Sequence, residues 1–148
     1  VARATMKTVA VVVAVLVVAL VGSSAGDVQK ALKTCAESSK LTIDQLNKAC
    51  EGNLPEAADE LKAYKCFAKC VQTQVGIMSA DGEVNPERSR SLVDPSQQET
   101  MKTIADKCRG EGATDLCEKA YLVDSCYSRE NKQMYEANCK GLIKTISA

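Results

Sequence analysis

The sequence of 148 residues contains no histidine and no tryptophan, and it has only one phenylalanine. The absence of histidine excludes Ser-His-Asp and Cys-His catalysis, and it removes the most frequent partner of cysteine in zinc sites. Neighbouring carboxylates such as Asp59 and Glu60 remain, but they lie on a predicted helix, where a solvated charged face is the simpler interpretation. We therefore expect no catalytic residue and no metal site.

A concentrated basic surface is also missing. The 19 basic residues are balanced by 19 acidic ones, and removal of a leader that carries Arg3 and Lys7 would change the formal charge from zero to −2. Nucleic acids and anionic membranes both attract clustered Lys and Arg side chains. The sequence therefore predicts no nucleic-acid partner.

Long apolar runs are absent after residue 26, but one lies near the N-terminus. Val9–Val21 is an unbroken stretch of thirteen apolar residues, preceded by Met6 and Lys7 and followed by the small residues of Ser23–Ala25. This pattern is typical of a secretory signal peptide, and the run is shorter than the roughly 20 residues that a transmembrane helix needs.

This leader sets the predicted domain organisation. We expect residues 1–25 to be a signal peptide, with Val1–Thr5 as sequence upstream of the first methionine, and residues 26–148 to form one secreted domain. All eight cysteines lie in that domain. An even number of cysteines in a small secreted chain is typical of a disulfide framework.

The stretch KCFAKC, Lys65–Cys70, contains two close cysteines that could instead belong to a redox centre or a zinc site. Its C-x-x-x-C spacing differs from the C-x-x-C of redox centres and zinc knuckles, and an oxidising compartment disfavours free thiolates. Cys66 and Cys70 lie one helical turn apart and point the same way, so we expect them to bond to two different elements. Cys117 and Cys126 lie on opposite faces of one predicted helix and also need separate partners. Many pairings of the eight cysteines remain open at this point.

Capping and breaking residues between the cysteines predict an all-α fold. Thr42 and Gln45 form a capping box, and Gly52 stands where a glycine would end that helix. No stretch after residue 26 alternates β-branched with polar residues over the length of a strand. The six to seven predicted elements are 28–37, the helix between Thr42 and Gly52, 56–75, a short turn at 86–92, 96–107, 116–127 and 131–144.

The spacing of six cysteines carries a family resemblance. They occur as Cys35-x30-Cys66-x3-Cys70-x37-Cys108-x8-Cys117-x8-Cys126. This pattern resembles the six-cysteine signature of the insect odorant-binding and pheromone-binding proteins over nearly all of residues 26–148. The resemblance implies helices cross-linked by disulfides around an internal apolar cavity. It also implies the pairs Cys35–Cys70, Cys66–Cys117 and Cys108–Cys126.

Two further cysteines, Cys50 and Cys139, lie outside the signature. By elimination we pair them as a fourth bridge, which would tie the last helix to the body of the domain. In the branch of the family called plus-C, a proline follows the sixth signature cysteine, whereas Tyr127 follows it here. The Cys50–Cys139 pair is therefore a hypothesis about this chain.

The resemblance implies a carrier that transports small hydrophobic ligands, such as odorants, pheromones or similar semiochemicals, and that needs neither enzymatic activity nor a cofactor. It allows a membrane odorant receptor as a further partner and a monomer or weak homodimer as the working form. Two alternatives remain open: a salivary scavenger of amines or eicosanoids, and a ligand-free structural or inhibitory helical protein. An acidic residue in the cavity would favour the binding of amines.

Apolar residues at helical spacing on three predicted helices are candidates for the cavity wall, although the same spacing is typical of an ordinary core. The resemblance places Ala68 and Gln72 in contact with ligand, and Tyr64, Thr73 and Tyr127 are further polar candidates. The predicted ligand-binding residues are Leu61, Tyr64, Ala68, Val71, Gln72, Val75, Met101, Ile104, Ala105, Leu122, Val123 and Tyr127.

The lack of histidine also bears on the pH dependence of ligand binding. A response between about pH 5 and pH 7 would require a carboxylate with a raised pKa, such as Asp124. Because histidine is absent, we expect binding to depend only weakly on pH over this range.

Overall fold

The computed structural model of the protein describes residues 26–147, and this part of the chain is all-α. Among these residues the only β-type pairing is an isolated antiparallel bridge between Met78 and Val84. The prediction of an all-α fold with six to seven helices is confirmed, whereas the predicted signal peptide lies outside the described residues. The helices are α1 (26–39), α2 (Ile43–Cys50), α3 (Ala58–Gln74), α4 (Pro86–Ser91), α5 (Gln98–Cys108), α6 (Leu116–Glu130) and α7 (Lys132–Ile146), with a 3-10 turn at Pro95–Gln97.

Several helices start or end at the residues that the sequence indicates. In α2, the backbone N–H of Gln45 donates to Thr42 Oγ1 at 3.2 Å, and the backbone N–H of Thr42 donates to Gln45 Oε1 at 2.9 Å, which is the predicted capping box. Gly52 follows this helix with a φ of 88°, a conformation that glycine adopts without strain. Asp115 caps α6 by accepting a hydrogen bond from the backbone N–H of Glu118 at 2.8 Å.

Two helices begin later than predicted. The sequence predicts α3 from residue 56, but it begins at Ala58, after Ala57, whose methyl group cannot cap a helix. Asp59 in the first turn of α3 adds negative charge where the helix dipole favours it. Asp94 accepts a hydrogen bond from the backbone N–H of Ser96 at 3.0 Å, so it caps the 3-10 turn and α5 starts after that turn.

The pairing of α3 with α6 lies at the centre of the fold. The Cys66–Cys117 disulfide joins the two helices covalently. Ala68 of α3 and Ala120 of α6 are both buried in one cluster, and their small side chains allow the helices to approach closely. Gln72 Nε2 donates to the carbonyl oxygen of Ala120 at 2.9 Å. This helix pair is therefore held by a covalent bond, by close packing and by a buried hydrogen bond.

Two clusters of buried side chains pack the remaining helices around this pair. One cluster joins α1, α2, α3 and α7, with Leu32, Leu46 and Phe67 among its members. The other joins α5 and α6 through residues that include Ile104 and Val123. No helix within residues 26–147 has both the length and the apolar character that crossing a bilayer would require.

Four disulfides cross-link the helices, and no cysteine in the described part of the chain is free. The first three pairs are those that the family resemblance implies, and the fourth is the pair proposed by elimination. The C-terminal helix is thus tied to α2, and beside that bridge Lys140 Nζ lies 2.6 Å from Glu51 Oε1. The pairs are Cys35–Cys70 (α1 to α3), Cys66–Cys117 (α3 to α6), Cys108–Cys126 (α5 to α6) and Cys50–Cys139 (α2 to α7).

Removal of the Cys50–Cys139 bridge should lower the free energy of unfolding by about 2–4 kcal/mol. The bridge joins residues 89 apart in sequence and therefore restricts the unfolded chain. The test is urea denaturation, without reductant, of a variant carrying Cys50→Ala and Cys139→Ala. A non-reducing peptide map of the parent, in which the two cysteine peptides are joined, serves as control. A loss below about 1 kcal/mol would contradict a stabilising role for this bridge.

Candidate functional site

A cavity of about 400 Å³ lies between the helices. Its walls come from all seven helices and from the segments that follow α3 and α4, and they are mostly aliphatic or aromatic, with Leu32, Phe67 and Ile104 among them. A space of this size holds about a dozen water-sized groups. It is therefore large enough for a small organic molecule.

Eight of the twelve predicted ligand-binding residues line this cavity, and five of them lie on α3 or at Val75, its C-cap. Residues three and four apart share one face of a helix, so these five side chains lie on one face. The eight residues are Tyr64, Ala68, Val71, Gln72, Val75, Met101, Ile104 and Tyr127.

The other four predicted residues lie outside the lining. Ala105 and Val123 have no exposed surface and pack together in the cluster between α5 and α6. Leu61 and Leu122 are half-buried but do not line the cavity. Thr73, a candidate for a polar contact, instead donates to a carbonyl oxygen one turn earlier in its own helix at 2.8 Å. Apolar spacing thus identified buried helix faces without distinguishing packed core from cavity wall.

The predicted set omitted the walls that α1 and α7 contribute. Val28 and Leu32 of α1 line the cavity, as do Tyr135, Asn138 and Leu142 of α7. The three residues of α7 follow one another at spacings of three and four, which is a helical signal that could have indicated a shared face. The lining segment between α4 and α5 has no such period and gives no comparable signal.

The cavity reaches the protein surface beside α7. Leu142 lines the cavity although 39% of it is exposed, and it is the one large hydrophobic residue in the described part of the chain that is exposed to this degree. Ala137 and Gly141 of the same helix are also exposed and also line the cavity. Exposed apolar groups at a cavity rim are typical of binding sites for apolar molecules. We infer that ligand access passes α7 near Leu142.

Gln72 of α3 and Asp124 of α6 meet in the cavity wall. Gln72 Nε2 donates to Asp124 Oδ1 and to the carbonyl oxygen of Ala120, both at 2.9 Å. Both partners accept hydrogen bonds, so together they fix the orientation of the amide. Gln72 Oε1 is then buried without a hydrogen-bond partner among residues 26–147. The wall therefore has an unused acceptor beside a carboxylate.

Burial raises the pKa of Asp124 from 3.8 to about 7, and the hydrogen bond from Gln72 opposes this only in part. The residue is half-buried by surface area. Because Asp124 lines the cavity, we assign its accessible surface to the cavity and not to bulk solvent. The expectation of weak pH dependence rested on the absence of histidine, and Asp124, a carboxylate with a raised pKa in the cavity wall, argues against it.

The charged groups of the lining all have the same sign. Within the described residues the lining contains the carboxylates of Asp94 and Asp124 and no Lys or Arg. Tyr64, Tyr127 and Tyr135 add hydroxyl groups, and burial raises the pKa of Tyr127 to about 12, so this hydroxyl is neutral near pH 7. No group of three or more Cys, Asp or Glu side chains suited to a metal ion occurs in residues 26–147.

Comparison with known proteins gives one family and several similar structures. The model of the PBP/GOBP family matches residues 20–130. The fold is similar to that of an odorant-binding protein of Locusta migratoria, with a TM-score of 0.72, 22% identity and coverage of 84% of this chain and 94% of the other. It is also similar to an odorant-binding protein of the medfly, with a TM-score of 0.63, 24% identity and coverage of 82% and 98%.

A third similar structure is odorant-binding protein 7 of Anopheles gambiae, which has four disulfide bridges and is in complex with an azo compound. The TM-score is 0.61, the identity is 19%, and the match covers 78% of this chain and 90% of that protein. No curated protein matches the sequence.

Replacement of Asp124 by asparagine should remove a loss of stability that the parent protein shows as pH rises. The folded protein keeps the Asp124 proton up to about pH 7, whereas the unfolded chain releases it near pH 3.8. The free energy of unfolding of the parent should therefore fall between about pH 4 and pH 8. Asp124→Asn should flatten this fall and exceed the parent in stability at about pH 8, as measured by urea denaturation across the range.

Asp94→Asn is the matched control, since it removes the other carboxylate of the lining. The hydroxyl and the backbone N–H of Ser96 lower the pKa of Asp94, so its removal should give no gain in stability at neutral pH. An Asp124→Asn variant with the same pH profile as the parent would contradict the burial assigned to this carboxylate.

Proposed function

We infer that this chain, which belongs to the PBP/GOBP family, is a secreted carrier of small hydrophobic ligands, such as odorants, pheromones or similar semiochemicals, in extracellular fluid. Proteins of this family bind small ligands and are not enzymes. The single observation that carries the proposal is the apolar cavity of about 400 Å³ between the cross-linked helices.

The chemistry of the wall suits an apolar molecule with one polar group. Burial of apolar surface contributes about 25 cal/mol per Å², and most of this wall is apolar. The polar side chains of the wall include the pair of Gln72 and Asp124 and the hydroxyls of Ser89 and Tyr127, which lie 2.9 Å apart. A few polar groups in an apolar wall are typical of sites that orient a small ligand.

The proposed location is extracellular. The apolar run Val9–Val21 supports a signal peptide, and four disulfides are typical of proteins that fold in an oxidising compartment. In the proposed role the carrier delivers its ligand to a membrane odorant receptor and works as a monomer or weak homodimer. The proposed ligand-binding residues are those of the predicted set that line the cavity.

A bulky side chain placed in the cavity from α3 should weaken ligand binding. Val71 lines the cavity, and Val71→Trp would put an indole ring into space that a ligand needs. We expect the Kd of the neutral probe N-phenyl-1-naphthylamine to rise on the order of tenfold, which corresponds to about 1.4 kcal/mol. Fluorescence titration of the refolded protein measures this change.

Leu122→Trp is the matched control, because Leu122 is also a half-buried aliphatic residue on a helix but lies outside the lining. Its Kd should stay close to that of the parent. Equal losses in the two variants would contradict the assigned position of the site. A parent protein that has all four bridges and binds no apolar probe would overturn the carrier proposal.

Expression of the full sequence in insect cells should release a protein that begins near Gly26 into the medium. N-terminal sequencing of the secreted material is the measurement. Leu16→Arg interrupts the apolar run with a charge, so this control should remain inside the cell. A product that stays in the membrane fraction, or a secreted product that still carries Val9–Val21, would contradict the predicted signal peptide.

A further inference from the structure

Asp124 is a carboxylate in the cavity wall with no cation beside it. Its Oδ1 accepts one hydrogen bond from Gln72, and its Oδ2 accepts none within residues 26–147. Lys65 of α3 lies 2.6 Å from Glu118 Oε2 and 4.8 Å from the centre of the Tyr121 ring, so its charge already has partners. Buried charges in proteins are normally paired. No Lys or Arg lines the cavity within the described residues, so a cationic ligand would be the first positive partner of the ionised Asp124.

The groups around Asp124 from the neighbouring helices do not supply that charge. Tyr64 of α3, Tyr135 of α7 and Tyr127 of α6 line the same cavity, and burial, together with the charge of Asp124, raises the pKa of each. These hydroxyls therefore stay neutral near pH 7. Within the described residues, α1 and α5 contribute only apolar side chains to the lining. Asp94, the other carboxylate of the lining, is exposed to solvent and accepts hydrogen bonds from Ser96.

The cavity wall around Asp124 also has more hydrogen-bond acceptors than donors to pair with them. Gln72 is 3% exposed, and its Oε1 has no partner among the described residues. The second oxygen of Asp124 accepts no hydrogen bond in the same part of the chain, but unlike Gln72 Oε1 it keeps some accessible surface. An ammonium group carries three donors and no acceptor, whereas a hydroxyl group carries one donor. The arrangement matches a ligand that donates several hydrogen bonds and is positively charged.

We propose that the preferred ligands of the cavity are small apolar amines, bound with the protonated nitrogen against Asp124 and the hydrocarbon part in the remaining apolar space. This inference rests on the carrier function proposed above. Burial already disfavours the ionised form of Asp124, so part of the cost of removing water from this carboxylate is met by folding, before a ligand binds.

The charge of the ligand should determine how its affinity changes with pH. With a pKa of about 7, Asp124 is mostly protonated at pH 5 and mostly ionised at pH 8. An alkylamine stays protonated throughout, as a lysine side chain does with a pKa of about 10.4. Amine binding favours the ionised carboxylate and should strengthen as pH rises. A neutral alcohol removes water from the same carboxylate, so its binding should stay constant or weaken.

The experiment compares octylamine with octan-1-ol by isothermal titration calorimetry on the oxidised protein with all four bridges. For the parent we expect octylamine to bind on the order of tenfold more tightly at pH 8 than at pH 5, and octan-1-ol to show no such gain. Asp124→Asn should lose on the order of tenfold in octylamine affinity at pH 8, lose the pH dependence and retain octan-1-ol. Asp59→Asn removes an exposed carboxylate outside the cavity and should match the parent.

Three results would count against the proposal. Binding of octan-1-ol without octylamine, or octylamine affinity that responds neither to pH nor to Asp124→Asn, would overturn the amine assignment and leave the carrier function standing. Failure of both ligands to bind the parent would overturn the carrier function and, with it, this inference. The pH dependence of the parent alone decides between the ligand classes, so the test does not depend on the folding of a variant.

Discussion

The pairing of α3 with α6 fixes the positions of the other cavity walls. The Cys66–Cys117 bridge and the close contact of Ala68 with Ala120 hold these two helices together. Each helix of the pair then carries a second bridge, from α3 to α1 and from α6 to α5. Gln72 and Asp124 meet because they lie on the facing sides of this pair. Both the cavity and its polar groups therefore depend on one helix–helix contact.

Covalent cross-links also explain how a small chain tolerates so much internal space. Space between helices forgoes van der Waals contacts, so side-chain packing contributes less to stability here than in a solid core. Each disulfide typically contributes about 2–4 kcal/mol, and four of them offset part of that loss. The bridges thus replace the side-chain packing that a solid core would provide.

Much of the fold could be predicted from the sequence, because caps and cysteine spacings act locally. The start of α3 was placed too early, since Ala57 offers no capping group and the chain enters the helix only at Ala58. The cavity was predicted in part. Val71 and Val123 have the same apolar periodicity, yet Val71 faces the cavity and Val123 packs against Ala105. Periodicity shows which side of a helix is buried. The position of the neighbouring helix decides whether that side packs against other side chains or lines the cavity.

Gln72 and Asp124, the polar pair in the cavity wall, show the same limit of prediction from sequence. Asp124 stood out in the sequence only as a carboxylate on a buried helix, and its lack of a cation depends on side chains from α3, α6 and α7 together. Local sequence cannot show that Lys65 pairs with Glu118 instead, because that pairing depends on the register between α3 and α6. Such a site becomes visible only when every wall of the cavity is known.

Cys139 divides α7 into two parts that differ in how firmly they are held to the rest of the protein. The first part lies between its cap at Asn131 and the bridge to α2, whereas the residues after Cys139, about two turns, have no covalent link of their own. Leu142 lies in this second part at the rim, and Ile143 anchors it to the core. Movement of these last turns displaces the packing of Ile143 but breaks no disulfide. In the proposed carrier, this end of α7 is therefore the part of the cavity wall that can open while all four bridges stay intact.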